Sequence, residues 1–384
     1  MKQNLNNSQE RVLRALSVND ELTYEDLVDL TGIPYSGITS RVSELIRLGY
    51  NIQRMRSGMN TYLRYDEVLP DVEVLAESES RRLTHIDKNR GSKEFDDMKE
   101  FLEEMKTSTP KYKIKKKKDL SSDKCGVLLL SDLHFGEIII NDDGEQVYDT
   151  DRAVQRMNNL FHKTIDQLET ENLDELYIAI LGDVVDGDSI YRNHLFFVEK
   201  PAIEQVRDAT KELSEFIKGV SSVGVRVRVG CVRGNHGITN YNNLEADNWD
   251  NVVYDMLSLV FDNNPDVVID HYSTDYAKVN IVDKQVVLTH GRDIGAQIKT
   301  SAGLKTFRGL CNRYRLTDGD LVVCGHLHEF GFEGDQGRYL IRNGALPDAS
   351  EYALKLNYYG VPTQVFFVIE QGVNYPKIVP LEVI

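Results

Sequence analysis

Five short apolar, β-branched runs, each breaking off into residues of metal-ligand type, constrain this chain more than any other feature. Gly126 to Leu130 leads into Ser131-Asp132-Leu133-His134, and Tyr177 to Leu181 leads into Gly182-Asp183-Val184-Val185-Asp186. Val225 to Val232 leads into Arg233-Gly234-Asn235-His236, Val286 to Thr289 into His290-Gly291, and Leu321 to Cys324 into Gly325-His326-Leu327-His328. Between the first three runs lie segments of helical periodicity, carrying first Val154, Met157, Leu160, Phe161, Ile165 and Leu168, then Ile203, Val206, Leu213, Phe216 and Ile217. Strand–helix–strand repetition predicts an α/β fold with a parallel or mixed sheet, whose ligands bind at the carboxyl ends of the strands. All five polar clusters fall at such ends, so the fold predicts that they converge.

Residue type then narrows the chemistry. The clusters offer two aspartates, an asparagine and four or five histidines, with no thiolate. Imidazole and carboxylate together suit Mn, Fe, Zn or Ni better than Ca or Mg. Seven ligands exceed what one ion takes but suit two ions sharing a carboxylate. An isolated histidine such as His162 or His271 is read instead as a core residue. Cys125, Cys231, Cys311 and Cys324 are scattered without pairing logic, which predicts a reducing, cytoplasmic setting and neither disulfides nor a zinc-thiolate site.

The blocks Asp132-x-His134, Gly182-Asp183, Gly234-Asn235-His236, His290 and Gly325-His326-x-His328 resemble the calcineurin-like metallophosphoesterase superfamily over roughly residues 124–384. The resemblance implies a two-sheet sandwich flanked by helices. It also implies two divalent ions, with Mn foremost. One would be held by Asp132, His134, Asp183 and His328, the other by Asp183, Asn235, His290 and His326. His236 would face the scissile phosphate and protonate the leaving oxygen, while a bridging hydroxide attacks phosphorus in line. This sequence departs from the family at one place: the third block commonly continues with an acid, and position 237 is Gly. The orientation of His236 then has to come from elsewhere, with Asp186 or Asp188 as the expected substitutes.

The formal net charge of -16 is confined to the C-terminal part, since residues 1–65 sum to +1, residues 66–124 to -1 and residues 125–384 to -16. Residues 1–65 therefore read as a separate module. A helix over 8–17, a capping box at Thr23-Tyr24-Glu25-Asp26 opening a helix ended by Gly32, and a helix from Pro34 to Leu48 stopped by Gly49 are followed by a hairpin over 50–65. This pattern resembles a small winged helix-turn-helix domain. Arg41 on the third helix, with Arg54 and Arg56 on the wing, would then meet DNA phosphates. A protein-docking role is the alternative. Residues 66–123 read as a charged connector. They hold one helix, with Phe95, Met98, Phe101, Leu102 and Met105 in phase, and six lysines between Lys111 and Lys118.

From Ile294 to Thr317 the acidic body carries no acid, only Lys299, Lys305, Arg308, Arg313 and Arg315, with Phe307 and Tyr314 as candidate stacking surfaces for bases. With the N-terminal module this favours a DNA nuclease whose core is similar to SbcD-type repair enzymes. Two other readings stand beside it: a nucleotide or phosphoprotein phosphoesterase, and a DNA-binding regulator with an inactive domain. No G-x-x-x-x-G-K-[ST] occurs, so ATP dependence requires a separate ATPase partner; a homodimer is a further expected assembly. No run of about 18 apolar residues is present, which predicts no membrane-spanning helix.

Overall fold

The computed structural model describes residues 7–18, 22–48, 50, 52–57, 60–65, 97–108, 123–141, 144–190, 194, 197–239, 247–294, 301–348 and 360–384. The chain divides into two units, Met1–Asp97 and Met98–Ile384.

The first unit contains α1 (Asn7–Val18), β1 (Leu22–Thr23), α2 (Tyr24–Thr31), α3 (Tyr35–Arg47), β2 (Ile52–Ser57) and β3 (Asn60–Tyr65). The expected capping box is present: the Thr23 hydroxyl accepts from the Asp26 amide at 3.1 Å, and the Asp26 carboxylate accepts from the Thr23 amide at 2.8 Å. Gly32 ends α2 at φ 65°, where a side chain would be strained. Val12, Leu16, Leu27, Ile38, Val42, Leu45 and Leu63 close a core of their own. The hairpin β2–β3 gains a third strand absent from the sequence reading, because β1 pairs antiparallel with β3 through Leu22 and Leu63. Arg41 does not stand free on α3 as expected. Its guanidinium is tied to Glu44 one turn on. Arg54 and Arg56 lie on β2, but their side chains, like Gly49, fall outside the described residues.

The second unit begins with α4 (97–107), the helix expected within the connector. Met105 is 3% exposed, and Met98, Phe101 and Leu102 pack on the same large core, so this helix belongs with the C-terminal unit. The lysine run 111–118 lies outside the described residues. Then follow β4 (Lys124–Leu130), β5 (Ile139–Ile140), β6 (Gln146–Tyr148), α5 (Thr150–Thr170), β7 (Glu175–Ile180), α6 (Ala202–Ser222), β8 (Arg226–Cys231), α7 (Trp249–Phe261) and β9 (Val267–His271). The chain continues through β10 (Tyr276–Ile281), β11 (Lys284–Thr289), α8 (Ser301–Tyr314), β12 (Leu321–Cys324), β13 (Gly331–Asp335), β14 (Arg338–Arg342), β15 (Thr363–Glu370) and β16 (Lys377–Glu382).

Apart from β5 and β6, which pair with each other, these strands form the expected mixed α/β sandwich of two sheets. One has the order β16-β15-β4-β7-β8-β9, with β4, β7, β8 and β9 parallel; the other has the order β10-β11-β12-β14-β13, with β11, β12 and β14 parallel. Both faces of the central strands are covered, which explains their unbroken apolar runs. Leu128, Leu130, Ile178, Ile180, Val227 and Val229 meet α5, α6 and α7. Val127, Leu129, Tyr177 and Ala179 meet Val279, Val286, Leu288, Val323 and Ile341 of the second sheet. Val287, Val322 and Leu340 on its outer face meet Phe307, Leu310 and Cys311 of α8. All four cysteines are buried and free. No helix among the described residues is long and apolar enough to cross a membrane.

Candidate metal centre

The carboxyl ends of β4, β7 and β8 in one sheet, and of β11 and β12 in the other, deliver the side chains singled out in the sequence. Asp132, His134 and His328 place ligand atoms within 4.8 Å of one another, as do His134, Asp183 and His236, and again Asp183, His290 and His326. Asp183 is therefore common to a group on the first-sheet side and a group on the second-sheet side. Asn235 joins the latter through Oδ1, 3.0 Å from His290 Nε2.

The backbone is bent to achieve this. Asp132, His134, Asp183, His326 and His328 have φ of 52°, 46°, 50°, 72° and 52°, and they account for five of the nine non-glycine residues with positive φ among those described. Such a conformation costs of order 1–3 kcal/mol per residue and persists only where the surroundings enforce it. Here the Asp132, Leu133 and His134 amides donate to Gly182 and Asp183 carbonyls at 2.8–3.1 Å, lacing the two loops together. Two glycines of the motifs are explained by close approach. A Cβ on Gly234 would run into Asp183, and one on Gly325 would run into the Asp132 carboxylate and Ser131 Oγ.

Ring nitrogens are fixed by their outer partners. His290 Nδ1–H donates to the Leu181 carbonyl at 2.8 Å, so in the neutral ring Nε2 is the lone pair. That lone pair faces Asp183 Oδ2 at 3.0 Å, Asn235 Oδ1 at 3.0 Å and His326 Nδ1 at 3.1 Å. On the other side the Asp186 carboxylate takes the Nδ1 proton of His134 at 2.9 Å, so its Nε2 lone pair meets His328 Nε2 at 3.2 Å, beside Asp132 Oδ1. Converging lone pairs of this kind repel one another unless a positive charge sits among them, either a metal ion or a proton on the imidazole. The nitrogen and oxygen donor sets, without sulfur, fit two divalent transition-metal ions.

The field at the centre agrees. Burial pushes His290 down, but the charge and hydrogen bond of Asp183, with the charge of Asp132, carry it up to about 9. Burial lowers His326 to about 4, helped by the charge of His290. Burial raises Asp132, yet the charge and hydrogen bond of His328 bring it down to about 2. The site favours positive charge among its carboxylates.

His236 stands at the edge of this group, with its amide 2.7 Å from Asp183 Oδ1. The sequence left its orienting group open. The structure shows Asp186 Oδ1 at 2.8 Å from His236 Nδ1, whereas Asp188 is half-buried on the neighbouring turn. Burial would lower His236, but the charge of Asp183 and the hydrogen bond and charge of Asp186 lift it to about 10. Gly237 is explained as well. A Cβ there would strike Asn248 Oδ1, because the start of α7 occupies the space.

Three supporting residues escaped the sequence reading. Asn248 caps α7 and donates to the Gly234 carbonyl at 2.9 Å. Asp250, two residues on, accepts from the amides of Asp183, Val184 and Gly234 at 3.0, 3.0 and 2.9 Å. An Asn-x-Asp start before the apolar run of α7 was the available signal. His194 reaches Asp186 Oδ2 at 2.7 Å, and nothing local in the sequence marks it.

The basic island fares differently. Lys305, Arg313 and Arg315 are exposed on α8 and the turn after it. Arg308 is exposed as well and pairs with Asp335 through two contacts at 2.8 Å. Phe307 is fully buried under α8, and Tyr314 packs on Tyr276 with ring centroids 6.3 Å apart, so the core claims the two aromatics proposed for base stacking. Lys299 falls outside the described residues. Among the described residues no hydrogen bond or ion pair joins α8's cations to the candidate ligands.

Two sheets bringing imidazoles and carboxylates together at one end define a metal-dependent hydrolase architecture. The sequence profile of the calcineurin-like phosphoesterases matches residues 126–330, more than half of the chain, and the chain belongs to that family. It is similar to the SPbeta prophage-derived uncharacterized protein YonJ of Bacillus subtilis (strain 168), with 23% identity over 261 residues, 64% of this chain and 63% of that one. The chain thus matches somewhat under two thirds of the length of this curated relative. Among solved structures it is similar to a novel archaeal phosphodiesterase, at 18% identity and TM-score 0.31, covering 67% of this chain and 99% of that one. It is likewise similar to the phosphoesterase Yfce of E. coli, at 16% identity and TM-score 0.31, covering 67% and 100%.

Proposed function

We propose that this phosphoesterase is a two-metal phosphodiesterase that cleaves DNA. The observation carrying the reaction class is the position of Asp183, whose carboxylate falls in one donor group with His134 and His236 and in another with His290 and His326. Asp132, His134, Asp183 and His328 would hold one ion; Asp183, Asn235, His290 and His326 would hold the other. When bound, the ions supply Lewis acidity toward phosphoryl oxygens and an activated water, with Mn the ion best matched to the use proposed. The remaining work falls to the chain. His236 holds a proton for the departing oxygen, and Asp186 fixes its Nδ1–H and with it the direction of Nε2.

DNA as substrate is supported by the acid-free segment 294–317 in an otherwise acidic domain, with Lys305, Arg313 and Arg315 exposed. It is supported also by the N-terminal unit, whose three helices and hairpin we read as a winged helix. A nucleotide or phosphoprotein substrate is favoured by one observation, the packing of Phe307 and Tyr314 against the core and a neighbouring ring rather than toward solvent. An inactive regulator is disfavoured, since all seven ligand positions hold ligand residues.

The test compares labelled single- and double-stranded DNA with a small chromogenic diester, under manganese, for the intact chain and a Lys305→Ala/Arg313→Ala/Arg315→Ala variant. We expect DNA cleavage, a weaker and less salt-dependent interaction in the variant because fewer counterions are released, and unchanged turnover of the small diester. Hydrolysis of the small diester with no cleavage of DNA at any salt concentration would sink the nuclease reading and favour the nucleotide or phosphoprotein one.

A further inference from the structure

We infer that His194 is a positioning residue for His236, acting through the Asp186 carboxylate that lies between them. The inference rests on the reading of His236 as the proton donor to the leaving group.

Asp186 is 1% exposed and must satisfy both carboxylate oxygens inside the protein. Oδ1 serves two rings at once, His134 Nδ1 at 2.9 Å and His236 Nδ1 at 2.8 Å. Oδ2 is met by His194 Nε2 at 2.7 Å. His194 is itself 1% exposed, and its tautomer follows from the group that meets Nδ1. The Ile190 amide lies 3.3 Å from Nδ1, and an amide can only donate, so Nδ1 is the lone pair and Nε2 carries the hydrogen. His194 is thus a neutral donor aimed at Oδ2.

This contact decides where the other oxygen goes. A carboxylate turns about its Cβ–Cγ bond, and a one-sided set of partners on Oδ1 would leave Oδ2 free to swing toward the same donors. With Oδ2 pinned, Oδ1 stays where it can take Nδ1–H from both a metal-ligand ring and the proposed donor ring. The rings of His194 and His236 stand nearly perpendicular, at 88°, with centroids 6.1 Å apart, so Asp186 is the polar link between them. The Ile190 amide alone would satisfy an ordinary core histidine on one side only. This one completes the coordination of the residue that aims His236. The position matters because proton transfer in the transition state tolerates little misalignment.

The experiment uses the full chain with manganese and two aryl phosphodiesters, one leaving as p-nitrophenolate and one as unsubstituted phenolate. p-Nitrophenolate departs without a proton, whereas phenolate depends on one. Loss of His194 is expected to lower kcat for the phenyl ester about 10-fold or more, part of the usual general-acid contribution. It should leave the p-nitrophenyl ester within about 3-fold, both KM values unchanged and two ions bound. His194→Gln, which keeps an N–H near the place of Nε2, should restore the phenyl rate that His194→Ala loses. If His194→Ala does not fold, His194→Gln against His194→Met gives the same comparison with bulk retained. Equal loss for both esters, loss of metal, or no rescue by Gln makes His194 a structural residue and overturns the inference. His236→Ala is run alongside. A phenyl-specific loss in His236→Ala with none in His194→Ala overturns the inference alone, and no phenyl-specific loss in either overturns the donor reading with it.

Discussion

Asp250 holds Asp183 by its backbone: the Asp183 amide donates to Asp250 Oδ2 at 3.0 Å, and the Gly234 amide donates to the same oxygen at 2.9 Å. One carboxylate on the first turn of α7 thereby fixes the loops after β7 and β8, which carry Asp183, Asn235 and His236. Burial first, and the charge of Asp183 second, raise Asp250 to about 6, so the carboxylate is kept there against an opposing field. Its amide partners are what the strain is exchanged for.

Removing that acceptor is therefore costly. Asp250→Ala strands the buried amides of Asp183, Val184 and Gly234, at about 1–3 kcal/mol for each group left unsatisfied. We expect a loss of about 3 kcal/mol or more in denaturant unfolding, together with weaker metal binding by the folded fraction. An unchanged unfolding midpoint would mean that the loops are held by other contacts.

Asp183 itself is expected to behave in the opposite manner. Its side chain is common to both donor groups, while its main chain does the structural lacing. Asp183→Ala should retain the fold, as judged by unfolding in the metal-free state, and lose hydrolysis and the binding of at least one ion. Elemental analysis of the intact protein under excess manganese should give two ions per chain; a single ion would remove the shared position assigned to Asp183.

How much of this was legible in the sequence divides along a physical line. The strands carrying ligands read clearly because both faces are buried and each run stops abruptly at polar residues. The helix at Thr23–Gly32 was readable from its caps. What could not be read were contacts made across the fold. Asp250 and His194 are single polar residues, 67 positions from the Asp183 amide and 8 from the Asp186 carboxylate that they meet, and no periodicity marks them. Phe307 shows the converse error. It sat among cations in the sequence and looked exposed, but α8 uses it to cover the outer face of the second sheet.

The role assigned to His236 separates chemistry from metal binding. Its Nδ1–H is engaged by Asp186, which leaves Nε2 for the proposed proton transfer. His236→Ala should keep both ions and lose about 10²–10⁴-fold in kcat, the usual contribution of general acid–base catalysis. Loss of an ion in that variant would make His236 a ligand, a role its place beside His134 and Asp183 also allows.

The packing of α4 predicts where the catalytic unit begins. Met105 is 3% exposed against the α-helical side of the first sheet, with Met98, Phe101 and Leu102 around it. The Lys218 ammonium donates to the Met105 carbonyl and, at 2.7 Å, to Ser108 Oγ, closing the end of the helix. Full burial of a methionine side chain is worth about 1.5–3 kcal/mol, so the helix stabilises the sandwich measurably although it lies outside the segment that matches the family. A chain starting at residue 97 should unfold at nearly the same denaturant concentration as the C-terminal unit of the intact protein, and should hydrolyse a small diester at the same rate. A chain starting at residue 123 exposes the groove left by Met105 and should unfold at lower denaturant, by about 2 kcal/mol or more on the same measure. If the two truncated chains unfold together, α4 contributes nothing to the sandwich, and the catalytic unit starts at β4 as the sequence alone suggested.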